Sequence, residues 1–307
     1  MLPPEAKRSR LIKHKAKELG FSDCGISNIS SLDHEIAIFE QWIESGQHGK
    51  MQYLKNHINK RKDPRLLLEG AKSIISVILN YYPQQLLADD VPKIAKYAYG
   101  KDYHKIIKKR LNKLYAFINE EITDTKGRVF VDTGPVLDKI WAQRAGLGWI
   151  GKNSLLIHPV FGSYVLIGEI IVDLELEYDT SVADQCGDCT FCIDSCPNQA
   201  INHNKTINAS KCISYHTIEK KHPAAGASYN NYQNQIFGCD ICLDVCPRNK
   251  RPIPHNTPEF KAKSELFNMT REDWIHLTKN KYHELFKGTA INRIGYEKLM
   301  EHIQLTD

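Results

Sequence analysis

The stretch that decides the reading is Cys186-Gly187-Asp188-Cys189-Thr190-Phe191-Cys192-Ile193-Asp194-Ser195-Cys196-Pro197, answered downstream by Cys239-Asp240-Ile241-Cys242-Leu243-Asp244-Val245-Cys246-Pro247. The first run has the full spacing of bacterial two-cluster ferredoxins, whose fourth cysteine ligates the other cluster. The second run lacks its upstream cysteine, because Ile236 stands in that place, and the isolated Cys212 restores the number. Eight of the nine cysteines then fill two four-thiolate sites. Crossing the fourth ligands places one 4Fe-4S cluster on Cys186, Cys189, Cys192 and Cys246, and the other on Cys196, Cys212, Cys239 and Cys242. Structural zinc also uses Cys-x2-Cys knuckles, but three cysteines in consecutive x2 spacing followed by Cys-Pro suit it poorly. Disulfides fit less well, since the charged residues Glu5, Lys7, Arg8 and Arg10 open the chain where a signal peptide would need an apolar run. A reducing, cytoplasmic setting is expected. The ninth thiol, Cys24, lies in an apolar context and reads as a small buried residue.

With 307 residues the chain has room for more than the cysteine-rich stretch. Its 42% hydrophobic content is that of a globular protein, and no apolar run approaches a membrane span. The formal charge of +5 is modest but clustered, with Lys55, Lys60, Arg61, Lys62 and Arg65 on one segment and Lys101, Lys105, Lys108, Lys109, Arg110 and Lys113 on another. Such runs are most often solvated faces; they permit an RNA partner without requiring one.

Upstream of the cysteines, helical periodicity predicts helices over residues 5–19 and 32–44, while Ser73 to Leu79 is short, β-branched and apolar, as in a strand buried on both faces. Asp102 is a candidate N-cap for a helix with Ile107, Leu111, Leu114 and Ile118 on one stripe. A strand over 128–131, a turn at Asp132-Thr133-Gly134-Pro135, a helix to Ala145 and strands near 154–157 and 164–172 follow. After Pro254, Thr270-Arg271-Glu272-Asp273 resembles a helix start, and residues 297–303 form a final helix. The pattern is α+β: a domain over residues 1–180, a ferredoxin-like two-cluster domain over 181–254, and a short helical C-terminus over 255–307.

A ferredoxin module needs no such partner merely to carry electrons, so the first 180 residues are expected to hold acceptor chemistry. Their glycine-rich stretch, Arg144 to Ser154, suits either a backbone that closely approaches a large polar ligand or ordinary turns. It is no dinucleotide fingerprint, because Gly146-x-Gly148-x-x-Gly151 precedes a strand. Asp132, at a strand end beside a Gly-Pro turn, either bonds turn amides or projects into a cleft, where burial would raise its pKa and fit it as a general acid. His104 offers a second titratable group on a helix's first turn, where it reads as a structural or surface residue. The triplet Asp102-Tyr103-His104 does not complete a histidine-ligated cobalt motif, since Ile107 stands where that motif requires glycine.

Taken together, Tyr97 to His104, Val131 to Pro135, Ala145 to Asn153, Cys212 to Tyr215 and Phe237 to Asn249 resemble the epoxyqueuosine reductases, with shared features spread from Gly49 to Arg293. The resemblance implies a cytoplasmic, cobalamin-dependent enzyme with two 4Fe-4S clusters and a nitroreductase-like α/β cobalamin-binding domain related to that of reductive dehalogenases. It implies reduction of the epoxide of epoxyqueuosine to the alkene of queuosine at the wobble position of a tRNA, by a monomer fed from an external electron donor. It assigns Asp132 as proton donor, and Gly151, Lys152, Asn153, Ser154 and His158 as the stretch that lines the corrinoid. Many members continue with a helical-repeat extension, whereas this sequence ends at Asp307, so the remaining basic surface is expected to grip the tRNA. Two other classes compete: a pure electron carrier, disfavoured by the long N-terminal domain, and a cobalamin-dependent dehalogenase or small-molecule reductase, commonly exported behind an Arg-Arg leader that residues 1–20 lack.

Overall fold

The computed structural model describes residues 3–220 and 232–305. From the N-terminus, α1 (Pro4–Glu18) leads into β1 (Asp23–Asn28), α2 (Asp33–Glu44), the short α3 (Ile58–Lys62) and β2 (Ser73–Asn80). A two-residue β3 (Lys93–Ile94) precedes α4 (Tyr103–Phe117), β4 (Gly127–Phe130) and α5 (Asp138–Arg144), after which come β5 (Trp149–Ile150), β6 (Leu156–Ile157) and β7 (Val165–Val172). The two cysteine runs carry the short helices α6 (Phe191–Asp194) and α7 (Ile241–Asp244), with β8 (Gln235–Phe237) between them. The chain closes with α8 (Ser264–Phe267), α9 (Arg271–Ile275), α10 (Lys279–Phe286) and α11 (Gly295–Gln304).

The central sheet is antiparallel throughout, in the order β1-β2-β7-β4. All eight residues of β2 are buried, as its apolar, β-branched run predicts. Its alternate side chains face two layers. Ile75, Val77 and Leu79 meet Ile12 and Ala16 of α1 and Ile107, Leu111 and Leu114 of α4, whereas Ile74 packs with Trp141 of α5 and Ile78 with Ala142. Helix α4 lies close on β7 because position 168 is glycine: a Cβ there would stand 2.6 Å from Ile107 Cγ2. Helix α4 starts where its cap requires, with the Asp102 carboxylate accepting from the His104 amide at 3.0 Å. Strand β1 escapes the sequence reading, because Asp23, Gly25, Ser27 and Asn28 interrupt its apolar pattern; only pairing with β2 shows it.

A second core joins Leu87, Val91, Ile94 and Tyr99 to Ile236 and Phe237 and to the C-terminal side chains Trp274, Tyr282, Phe286, Leu299 and Ile303. The parallel pairing of β3 with β8 ties these segments together. The start of α9 carries the full capping box anticipated at Thr270 and Asp273. The cysteine-rich stretch is anchored by buried Lys96, whose ammonium lies 2.6 Å from Asp244 and 3.5 Å from Asp240. Its backbone amide donates to Asp240 at 2.7 Å. Asn249 accepts from the Ser163 amide at 2.9 Å, and Lys152 donates to the Gly187 carbonyl at 2.7 Å.

Candidate active site and cluster ligands

Strand β4 ends one residue before Val131, and the chain turns through Asp132 with φ +54°, a left-handed conformation that aspartate tolerates better than most residues. The turn directs the carboxylate to α4, where the cap at Asp102 fixes the next two side chains. Asp132 Oδ2 accepts from the Tyr103 hydroxyl at 3.0 Å and lies 3.2 Å from His104 Nε2, while His104 Nδ1 lies 2.7 Å from Asp102 Oδ1. Tyr103 stacks on the imidazole with ring centroids 4.1 Å apart. The Asp132 side chain remains 57% exposed, so its carboxylate opens onto the cleft.

That cleft has a volume of about 740 Å³ and is bounded by Tyr53, Arg61, His104, Lys105, Lys108 and Asp132, with Glu219 and Arg293 on the far wall. Arg293 pairs with Glu219 at 2.9 Å. Arg61 lies over the Phe39 ring, and its Nε is buried without a partner among the described residues. The sequence expectation of a raised pKa for Asp132 is tied to burial by an aromatic or cofactor surface, and here the carboxylate is open and bonded to donors instead. The hydrogen bond from His104 outweighs desolvation and, with that from Tyr103, holds the carboxyl below its ordinary range rather than above it. Burial opposes charge on His104, yet its bonds to Asp102 and Asp132 overcome it and push the imidazole up to about 9. Burial, then Asp132, pushes the Tyr103 phenol upward.

Beneath this group, Glu169 of β7 pairs in register with Phe130 of β4 and Ser76 of β2. Glu169 is fully buried, and neither of its carboxylate oxygens has a partner among the described residues; the Ser76 hydroxyl is likewise unpartnered. The Asp138 carboxyl, at the start of α5, acts on Glu169 electrostatically, and burial raises both, Asp138 to about 7. Two neighbouring carboxyl groups, one of them fully buried, oppose each other's ionisation.

The glycine-rich segment is a hairpin of β5 and β6, and most of its residues are engaged by the fold itself. A Cβ on Gly148, at φ +152°, would stand 2.2 Å from the Ile157 carbonyl oxygen, and one on Gly151 would stand 2.5 Å from Ile157 Cδ1. Packing within the hairpin therefore demands these glycines. Lys152 reaches the cysteine-rich segment, and the Ser154 carbonyl accepts from Lys139 at 2.6 Å. His158 is buried with Nδ1 accepting from the Val160 and Phe161 amides and Nε2 lying 3.2 Å from Asp23. Asn153 differs: it is buried, Oδ1 accepts from Leu155, and Nδ2 has no partner among the described residues.

The eight cysteines fall into two electrostatic neighbourhoods. The Cys192 thiol, raised by burial first, feels Cys246, Cys186 and Cys189. Burial pushes Cys239 up to about 12, and Cys212 and Cys196 act on it. Cys242 is raised by burial, then by Cys239 and Cys212, and Cys192 of the first group also acts on it, so the two neighbourhoods adjoin. Among the described residues no three His, Cys, Asp or Glu side chains converge tightly enough for a single ion. A cube spreads its thiolates farther, one to each iron. Cys246 and Cys186 pack with Trp149 and Ile157 of the hairpin, and Cys242 abuts the core of the sheet domain. Both neighbourhoods thus touch the domain that holds Asp132.

Comparison with known proteins agrees with this architecture. Residues 61–133 match the family described as epoxyqueuosine reductase QueG, DUF1730, and residues 185–249 match the 4Fe-4S double cluster binding domain. The epoxyqueuosine reductase of Cellulophaga algicola is 48% identical over 297 residues, covering 97% of each chain. The chain belongs to the epoxyqueuosine reductase family. Among solved structures, an epoxyqueuosine reductase with an epoxyqueuosine-modified tRNA-Tyr stem loop matches at TM-score 0.87 and 28% identity, covering 97% of this chain and 80% of that one. The Bacillus subtilis reductase, solved with a catalytic aspartate loop swung out of its active site, matches at TM-score 0.86 and 27% identity, covering 97% of this chain and 80% of that one.

The sequence had singled out Asp132 and the cysteines, but had left His104 as a surface or structural residue and passed over Tyr103, Glu169 and Asp138. One signal for His104 was available: it follows an N-cap aspartate by two residues, a spacing that lets one carboxylate hold both its amide and its ring.

Proposed function

We propose that this chain, an oxidoreductase of the epoxyqueuosine reductase family, reduces epoxyqueuosine in tRNA to queuosine, with Asp132 handing a proton to the departing epoxide oxygen. The observation that carries the reading is the placement of Asp132: its carboxylate opens to a cleft of about 740 Å³ while bonded to Tyr103 and His104. A swinging catalytic aspartate loop in the Bacillus subtilis relative supports the same role for the Asp132 turn.

Cobalamin, when bound, supplies the cobalt-centred two-electron chemistry of the reduction. The residues present fit such a group. A corrinoid is edged with amides, and the side of the fold formed by α5 and the β5–β6 hairpin offers unpartnered Asn153 Nδ2, Ser76 Oγ and the Glu169 carboxyl. We assign Asn153 as the polar contact of the segment, with Gly151, Lys152, Ser154 and His158 holding the hairpin that presents it. Two 4Fe-4S clusters, on Cys186, Cys189, Cys192 and Cys246 and on Cys196, Cys212, Cys239 and Cys242, deliver electrons singly from an external donor. The proposal includes a cytosolic monomer, the setting in which thiols stay reduced.

The rim suits RNA. Lys105, Lys108, Lys109 and Lys113 are exposed along α4 and form no ion pair among the described residues, and the first two border the cleft. A polyanionic strand leading a nucleoside to Asp132 meets this row of cations.

The decisive experiment is single turnover by pre-reduced holoenzyme on epoxyqueuosine-containing tRNA. Asp132→Asn keeps the shape of the turn but cannot donate the same proton, so the rate should fall by about 10²–10⁴-fold with iron and cobalamin content unchanged. Near wild-type turnover in the loaded variant would remove Asp132 from the reaction.

A further inference from the structure

Asp132 Oδ2 lies 3.2 Å from His104 Nε2 and 3.0 Å from the Tyr103 hydroxyl, so the imidazole is the adjacent group able to hand this carboxylate a proton and take one back from solvent. We infer that His104, oriented by Asp102, is the proton store of the site and acts through Asp132. This rests on the reading of Asp132 given above and adds two residues to it.

The geometry is that of a relay with one outlet. The two imidazole nitrogens lie 2.7 Å from Asp102 and 3.2 Å from Asp132, so a doubly protonated ring donates to a carboxylate on each side. Asp102 is fixed independently because it also caps α4 through the His104 amide. One carboxylate thereby sets the backbone and the ring of the same residue. Tyr103 stacks on the ring and donates to the same Asp132 oxygen, so among the described residues both bonds fall on Oδ2 while the side chain lines the cleft. The groups around His104 are Asp102 and Tyr103 from its own helix start, Asp132 from the β4 turn, and Lys105 beside it; Lys108, Arg61 and the Glu219–Arg293 ion pair also line the cleft, and Arg293 acts on Asp132. Two carboxylates against one nearby lysine favour a charged imidazole, in line with its rise to about 9.

The transfer balances as a single proton. The His104 Nε2–H bond breaks as an O–H bond forms on Asp132. Rotation about the Asp132 Cβ–Cγ bond carries that O–H from the His104 side to the cleft, where it breaks as one forms on the epoxide oxygen, which keeps the electron pair of its broken C–O bond. His104 is left neutral and regains a proton from solvent through the open cleft. The electrons are those of the reduction itself. Asp102 does not touch substrate and is a positioning residue.

Three variants test this beside Asp132→Asn. In wild type, the single-turnover rate should hold through neutral pH and decline as His104 loses its proton, near pH 9. Asp102→Asn keeps an acceptor for the cap but removes the charge, so the alkaline limb should move down by about one pH unit or more. His104→Gln should remove that limb and lower the neutral-pH rate by at least about tenfold. Tyr103→Phe should leave the limb in place. A second readout is independent of turnover: the ¹⁵N-histidine resonance missing in His104→Gln should titrate near pH 9 in wild-type protein, and lower in Asp102→Asn. A ring already neutral at pH 7.5, or a His104→Gln profile matching wild type, overturns the inference. If Asp132→Asn is inactive in that case, the role of Asp132 stands alone; if Asp132→Asn is also unaffected, the underlying reading fails first.

Discussion

The Asp132 turn and the β5–β6 hairpin are both glycine-bearing loops at strand ends, and both stood out in the sequence, yet they use their residues differently. In the turn, side chains distant in sequence converge on an exposed carboxylate, and Asp102, Tyr103, His104 and Asp132 bond mainly to one another. In the hairpin, Gly148 and Gly151 make room for Ile157, Lys152 bonds the cysteine-rich segment, and His158 is locked to Asp23. Among the described residues of the hairpin, Asn153 Nδ2 and Trp149 Nε1 are buried without a hydrogen-bond partner. Loop composition therefore marks where a site lies, whereas the partners each side chain takes show which residues serve the fold and which open onto the cleft.

The sharpest way to break this contrast is at Gly148. If the hairpin glycines serve packing, Gly148→Ala forces a Cβ into the Ile157 carbonyl at a φ that favours glycine, at a cost of roughly 3 kcal/mol or more. Thermal unfolding should show a large loss of stability in the apoprotein, before any cofactor is added. A variant that unfolds normally as apoprotein but fails to retain cobalamin would show that the ligand, and not Ile157, requires the glycine. The same measurement on Asp132→Asn should show little change.

A milder effect concerns the buried acids. Asp138 and Glu169 are raised in the fold above their ordinary values, so their contribution to stability is fully present below the unfolded pKa values near 4 and is lost as pH rises through about 7. Glu169→Gln removes the group that must otherwise be kept protonated. Urea midpoints for the variant and wild type should therefore diverge between pH 5 and pH 8, with the variant relatively more stable at the higher pH. Parallel midpoints across that range would show that the pair is not raised in the fold.

How far these features could be read from the sequence follows from their range. The cysteine spacing, the β2 run, the α4 stripe and the Thr270 capping box depend on residues within a few positions of one another, and each was legible. Strand β1 was hidden because half its residues are polar, and its identity comes from pairing with β2 across the core. The pKa of Asp132 was out of reach for a related reason: the donors that lower it arrive from α4, some 28 residues away. Glu169 was invisible because a lone acid within a strand carries no local mark of its burial.

The smallest expected effect concerns the cations along α4, where each residue contributes little and the sum carries the argument. Lys109 and Lys113 lie one helical turn apart on the face that begins at the cleft with Lys105, and none of the three spends its charge on an ion pair among the described residues. If an RNA strand runs along this face, each lysine neutralises about one phosphate and releases its counterions, so binding weakens with salt by a slope of about 0.7–0.9 per contact. Lys109→Gln/Lys113→Gln should bind an epoxyqueuosine-modified stem loop more weakly at low salt and lower the salt slope by about two. Neither lysine reaches Asp132, so the loss should appear in the dissociation constant and shrink as ionic strength rises and screening removes the advantage of wild type. A slope equal to that of wild type, with stem-loop binding intact, would place the strand on another face and leave these lysines as a solvated surface.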